Sequence, residues 1–184
     1  MKAKVNKVNI RMIQDELLGL SVGALVHVTD PNLSLDPVFA SEAGPDVTEA
    51  CLEIGWCRVG SAVMTTAGNL CCEKLIHAVA PRWGEGSERG KLANLTRSCL
   101  WLAEEHGLKS LALPAISSGT LGYPLESCAR LMIAEIIDFT FEDIKNLRSV
   151  VVCLENALAW EVFDTEFART LDRLRARGEG KVKV

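Results

Sequence analysis

Three segments of this chain gather side chains and backbone that can hold a phosphate, a sugar or a water. The first is Leu113-Pro114-Ala115-Ile116-Ser117-Ser118-Gly119-Thr120-Leu121-Gly122-Tyr123-Pro124. Its small residues and two glycines let backbone N–H groups converge on one point. A helix expected straight after Pro124 aims its positive dipole end at the same place. That arrangement suits a phosphate or diphosphate, and it reads equally well as a plain connection between strand and helix. No Gly-Lys-Ser/Thr follows, so an ATP-hydrolysing phosphate loop has no support.

The second segment, Val26 to Pro37, carries two carboxylates, Asp30 and Asp36. Either could hydrogen-bond sugar hydroxyls or position a water. Asp30 precedes a proline, so it reads first as a turn-former. The third segment is Ile76-His77-Ala78-Val79-Ala80-Pro81-Arg82-Trp83. His77 lies in an apolar run, which favours a structural imidazole. A Ser-His-Asp triad would need a G-x-S-x-G elbow, and the sequence has none.

These segments must be positioned by elements that the hydrophobic pattern outlines. Val5 to Met12 alternates apolar and polar residues and predicts a half-buried strand. Gly23–Val28, Gly60–Thr66, Lys74–Val79, Leu108–Leu113 and Ser149–Leu154 predict further strands. A helix is expected from Asp46, as its cap, to about Glu53. Others are expected from Leu92 to His106, closed by Gly107, from Pro124 to about Phe139, and from Ala157 to about Leu174. Strands alternating with helices imply a three-layer α/β/α fold around a central mixed, largely parallel sheet. In such sheets ligands bind beyond the carboxyl ends of the strands, where all three segments lie. A single domain is expected over 1–184, with a core of about 5–176 and a frayed tail at 178–184.

Composition agrees with a globular domain: 184 residues, 48% hydrophobic and 24% charged. No apolar run reaches the length of a membrane helix, and no h-region follows the N-terminal lysines, so no membrane partner or signal peptide is expected. The seven cysteines are odd in number and form no C-x-x-C pair. Free, mostly buried thiols in an intracellular setting, cytoplasmic or nuclear, are the expectation. None of the three histidines has zinc-type spacing to them, so no metal is expected. Net charge is −4, with basic ends: Lys2, Lys4, Lys7 and Arg11 at one, Arg169, Arg173, Arg175, Arg177, Lys181 and Lys183 at the other. Such ends could touch nucleic-acid phosphates, but no aromatic platform interleaves with them, and solvated ends are the simpler expectation.

Taken in order, Gly60 to Leu70, Ile76 to Trp83, Leu102 to Ser110 and Pro114 to Pro124 resemble the macrodomain family over roughly Val8 to Leu154. The resemblance implies a pocket for ADP-ribose, free or on an ADP-ribosylated protein, with no separate cofactor. It also implies, in some members, hydrolysis of ADP-ribosyl esters or of O-acetyl-ADP-ribose. Carried onto this chain, it implies a phosphate loop at Ser117, Ser118, Gly119, Thr120 and Leu121. It implies adenine contacts at Glu16 and Leu17, and an apolar ligand contact at Leu154 where an aromatic residue is frequent. The family's Asn-Ala-Ala-Asn and glycine run are replaced by His27-Val28-Thr29-Asp30 and Pro31-Asn32-Leu33-Ser34. The pattern resumes from Leu35, a further expected contact, and Asp36 falls where hydrolytic members keep an aspartate.

The lost glycines remove amides that would close over a diphosphate, each worth about 1.5–3 kcal/mol when charge-assisted. Asp30 adds a negative charge beside an anionic ligand. The sequence therefore predicts a binding module for ADP-ribose or a related nucleotide, weakened or altered. Its alternatives are a residual hydrolase using Asp36, and a degenerate macrodomain turned to protein or nucleic-acid contacts.

Overall fold

The computed structural model describes residues 1–184. Its strands are β1 (Lys2–Val5), β2 (Val8–Gln14), β3 (Ala24–Thr29), β4 (Ala62–Thr66), β5 (Lys74–Val79), β6 (Ser110–Leu113), β7 (Ser149–Leu154) and β8 (Val182–Lys183). Its α-helices are α1 (Pro37–Ala43), α2 (Pro45–Ile54), α3 (Glu88–Glu105), α4 (Leu125–Phe139) and α5 (Ala157–Arg177). One sheet holds all the strands in the order β4-β5-β3-β6-β7-β2-β1-β8. Its centre, β5-β3-β6-β7-β2, is parallel, and the flanks are antiparallel. The mixed, largely parallel α/β architecture read from the sequence is therefore present.

Period-two alternation sorts the strand residues onto two faces. Ala24, Val26, Ile76, Ala78, Val150, Val152 and Leu154 join α3, α4 and α5 in the larger core, 37 buried residues. Leu25, Leu75 and Val79 face the other way and join Phe39, Ala43, Val47 and Cys51 of α1 and α2 in a core of 11. At about 25 cal/mol per Å² of apolar surface, this two-sided burial dominates the stability of the sheet.

Four elements depart from the sequence reading. The single strand expected from Val5 to Met12 is a hairpin, because Asn6 takes a left-handed φ of 53° and turns the chain between β1 and β2. The tail expected to fray instead forms β8 against β1. Asn6 holds it there: its amide donates to Lys181 O, and its Oδ1 accepts from Lys181 N, each at 2.9 Å. Asp46 caps nothing. The N-cap of α2 is Gly44 (φ 86°), a conformation open to glycine, with Pro45 at the first helical position. Finally, α1 is too short to show periodicity. It is signalled by Asp36, whose Oδ1 accepts from the amides of Val38 (3.1 Å) and Phe39 (3.0 Å), followed by Pro37.

Six of the seven cysteines are buried and all are free; only Cys71 is exposed. Burial pushes the Cys99 and Cys128 thiols up to about 12, so neither is a nucleophile. The C-terminal basic groups are partly tied down, since Arg169 and Arg173 both pair with Glu166. No helix is long and apolar enough to cross a membrane, and no cluster of three or more His, Cys, Asp or Glu side chains is set to hold a metal.

Candidate functional site

Beyond the carboxyl ends of β2, β3, β6 and β7 opens a cleft of about 1430 Å³. Residues from five loops line it: Gln14–Leu18 after β2, Thr29–Pro31 and Asp36 after β3, Arg82 and Glu85 after β5, Pro114, Ala115 and Ser117–Leu121 after β6, and Leu154–Asn156 after β7.

The β6 loop is built to present amides. Ser117 (φ 66°) and Gly119 (φ 69°) both take left-handed backbone, alternating with ordinary residues, and this turns neighbouring N–H groups toward one side. For a serine the conformation is unusual and costly. The amides of Ser117, Gly119 and Thr120 have no acceptor within the protein. The Ser117 hydroxyl is the only buried side-chain oxygen or nitrogen with no partner. Outer contacts lock the loop: Tyr123 N donates to Ser117 O (3.0 Å), and Trp83 N donates to Leu121 O (2.9 Å). Trp83 packs edge-on against Tyr123 at 5.1 Å. Unsatisfied donors held this rigidly have the chemistry to receive an anion.

The β3 loop is built the opposite way, because its donors are already consumed. One Asp30 oxygen accepts from Asn32 N (2.9 Å) and Ser34 N (3.2 Å), an Asx turn. Burial alone would raise the Asp30 pKa, but the Ser34 side chain and these two amides outweigh it, and the group is held below its usual value. Asp36 consumes two more amides as the cap of α1. Asp30 and Asp36 thus line the cleft as carboxylates where free N–H groups would be needed for an anion.

Of the residues read from sequence, Glu16, Leu17, Asp30, Asp36, Ser117, Ser118, Gly119, Thr120, Leu121 and Leu154 line this one cleft. Glu16 is exposed at its rim and Leu154 is buried in its floor. Leu35, also expected as a contact, is not among the residues lining the cleft; it is half-buried and packs against the smaller core with α1 and α2.

Reading the sequence missed His27 as a cleft residue. It shares register with His77 on β5, and the two Nδ1 atoms lie 3.4 Å apart. Its ring stacks on Phe39 of α1, centroids 3.8 Å apart. His77 is fully buried and bonds Thr65 Oγ1 through Nε2 at 2.8 Å, the structural imidazole its apolar strand predicts. Burial lowers both histidines to about 4; Asp36 opposes the shift at His27, and His27 adds to it at His77. Both rings are therefore neutral at pH 7. Arg82 and Glu85, in the loop after β5, were missed too. The signal available was the strand end at Val79, since residues just beyond such ends face the ligand crevice.

With this geometry in place, the Macro domain family model matches residues 26–132, more than half the chain. The chain is a macrodomain. The O-acetyl-ADP-ribose deacetylase of Salmonella gallinarum is 35% identical over 175 residues, 90% of this chain and 93% of the relative. A macro domain-containing protein of Chlorobaculum tepidum is 33% identical over 154 residues, 80% and 89% of the two chains. Among solved structures, the Oceanobacillus iheyensis macrodomain with ADP superposes with a TM-score of 0.87 at 23% identity, over 94% of this macrodomain and 97% of that one. The Trypanosoma brucei macrodomain in complex with ADP-ribose gives 0.78, also at 23%, over 85% of this chain and 68% of that chain.

Proposed function

We propose that this macrodomain binds ADP-ribose, or a nucleotide or modified protein that carries it, with the diphosphate on the Ser117–Leu121 cradle. The observation that supports this most directly is that cradle: free amides of Ser117, Gly119 and Thr120 around an unpartnered buried hydroxyl. Leu17 and Leu154 give apolar contact for the base and distal ribose, and Glu16 accepts from the exocyclic amine. Binding is weakened because the β3 loop answers the diphosphate with Asp30 rather than with amides. Two lost charge-assisted bonds would cost about 3–6 kcal/mol if nothing replaced them.

Titration calorimetry with ADP-ribose, against AMP and ribose-5-phosphate, tests the reading. We expect a Kd of about 100 µM, roughly 5–6 kcal/mol of binding free energy, with both fragments weaker. No heat and no thermal shift at millimolar ADP-ribose would sink it.

A second reading is supported by the relatives named O-acetyl-ADP-ribose deacetylase, and by the place of Asp36 on the cleft wall. In it the bound nucleotide carries an acyl ester on its ribose, which water cleaves beside Asp36. Release of acetate from O-acetyl-ADP-ribose is the assay. Loss of turnover in Asp36→Ala, with ADP-ribose still bound, supports this reading over simple binding.

A further inference from the structure

The hydrogen bonds around His27 assign a place to its proton. Thr65 Oγ1 donates to Thr66 O (2.9 Å), so its own hydrogen is spent. With that hydrogen so placed, Oγ1 accepts from His77 Nε2–H across 2.8 Å, and this assigns the tautomer. Cys51 Sγ, at 3.6 Å from the same nitrogen, is a far weaker partner. A neutral His77 protonated on Nε2 has a bare Nδ1. That lone pair faces His27 Nδ1 at 3.4 Å and takes its hydrogen. The remaining nitrogen of His27, Nε2, is then a bare lone pair. It has no protein partner and is not sealed from solvent, and His27 lines the cleft.

We propose that His27 Nε2 is the proton acceptor of the cleft, activating the water that attacks an acyl ester on the ribose of the bound nucleotide. The inference rests on the hydrolase reading and adds a base to it. As the water oxygen bonds to the acyl carbon, one water proton passes to Nε2. When the tetrahedral adduct collapses, the bond from acyl carbon to ribose oxygen breaks and that oxygen takes the proton back from the imidazolium. The products are a free ribose hydroxyl and a carboxylic acid, which ionises into solvent. No other reactant is consumed.

The surroundings suit the step. Phe39 from α1 fixes the ring plane by stacking. His77 from β5 fixes the tautomer, with Cys51 of α2 packed behind it. Asp36, at the start of α1, is the charged group that acts on the ring and favours the imidazolium that forms transiently. The low basicity of the buried ring keeps Nε2 unprotonated through the neutral range. It also limits the driving force for proton transfer, so the effect of removing it should lie near the lower end for general bases, about 100-fold.

The test uses the full chain. Long-range nitrogen–proton NMR at pH 7 should show His27 protonated on Nδ1 and His77 on Nε2; His27 protonated on Nε2 would overturn the proposal whatever the kinetics. Thr65→Val should scramble this pattern, because Thr65 acts as a positioning residue through His77. With O-acetyl-ADP-ribose, His27→Asn should lower kcat about 100-fold while its ADP-ribose Kd stays close to that of the parent protein; the melting temperature falls with the lost stacking on Phe39 but the variant stays folded at assay temperature, and His27→Gln serves if it does not. Unchanged kcat in a folded variant, with Asp36→Ala inactive, overturns the role of His27 and leaves the hydrolase reading standing. A parent protein that binds ADP-ribose but releases no acetate overturns both.

Discussion

Asp30 and the histidine pair His27–His77 each make a measurable prediction. Asp30 keeps its Asx turn through a single oxygen that accepts two amides. An asparagine carbonyl can accept the same bonds, so Asp30→Asn should leave the loop folded while removing a charge from the wall of the cleft, beside the place proposed for the diphosphate. At a separation of several ångströms and surface-like screening, that charge is worth about 1 kcal/mol. Calorimetry should show ADP-ribose binding tighten about fivefold; an unchanged Kd would mean that Asp30 does not face the phosphates. The histidine pair makes a prediction about stability. Both rings titrate near 4 in the folded protein against an ordinary 6.5. Between those values the unfolded chain binds protons that the folded one refuses. Stability from the pair is thus complete above about pH 6.5 and is lost as pH falls toward 4, by up to about 1.4 kcal/mol per pH unit for each histidine. Urea unfolding at pH 7, 6 and 5 should show this slope, and His27→Asn should reduce it; an equal slope in the variant would remove His27 from the account.

At the scale of elements, α1 is where structure and site share one side chain. The Asp36 carboxylate caps the helix that carries Phe39 against His27. Asp36→Ala should therefore cost about 1 kcal/mol in urea unfolding, while Asp36→Asn, which can still accept at the cap, should cost much less. Equal losses would show that charge rather than capping matters there. A second junction is Gly68, in the turn after β4. With φ 56°, its backbone presses so closely on Ala43 at the end of α1 that an added Cβ would lie 2.0 Å from Ala43 O. Gly68→Ala should destabilise by about 3 kcal/mol or more, read as a fall in melting temperature. Elements with an apolar run or a clear start signal were legible in the sequence: β7 lies on the run Ser149–Leu154, α4 starts straight after Pro124, and α5 starts at Ala157 as expected. Short or non-local ones were not. β8 is two residues long and depends on Asn6, some 175 positions away in sequence, and no local pattern encodes that contact. The same holds for the site. The β6 cradle was readable because small residues and glycines advertise exposed backbone, and the carboxylates of the β3 loop because Asp-Pro pairs stand out. His27 was not, because its setting depends on a register partner on β5 and on a ring from α1.

Over the whole molecule the cleft is an acidic mouth on a chain whose net charge is only −4. Asp15, Glu16, Asp30, Asp36, Glu42, Glu85 and Glu155 line it, against the single cation of Arg82. A diphosphate entering this field meets an attractive dipole and free amides at the β6 loop, within a surrounding repulsion that extends over several ångströms. The amide contacts act at hydrogen-bond range and are little affected by salt. The repulsion acts over a distance comparable with the Debye length, which shrinks from about 30 Å at 0.01 M to about 8 Å at 0.15 M ionic strength. Raising salt should therefore remove more repulsion than attraction, and ADP-ribose should bind more tightly at 0.15 M sodium chloride than at 0.01 M. Removing Arg82 should deepen the effect, since Arg82→Ala takes away the one compensating charge: binding should weaken most at low salt and converge on the parent at high salt. Calorimetric titrations of both proteins across that range decide it. Binding that weakens with salt in both would mean that the ligand sees a net positive site, and that the phosphates sit away from the carboxylates of the β3 loop.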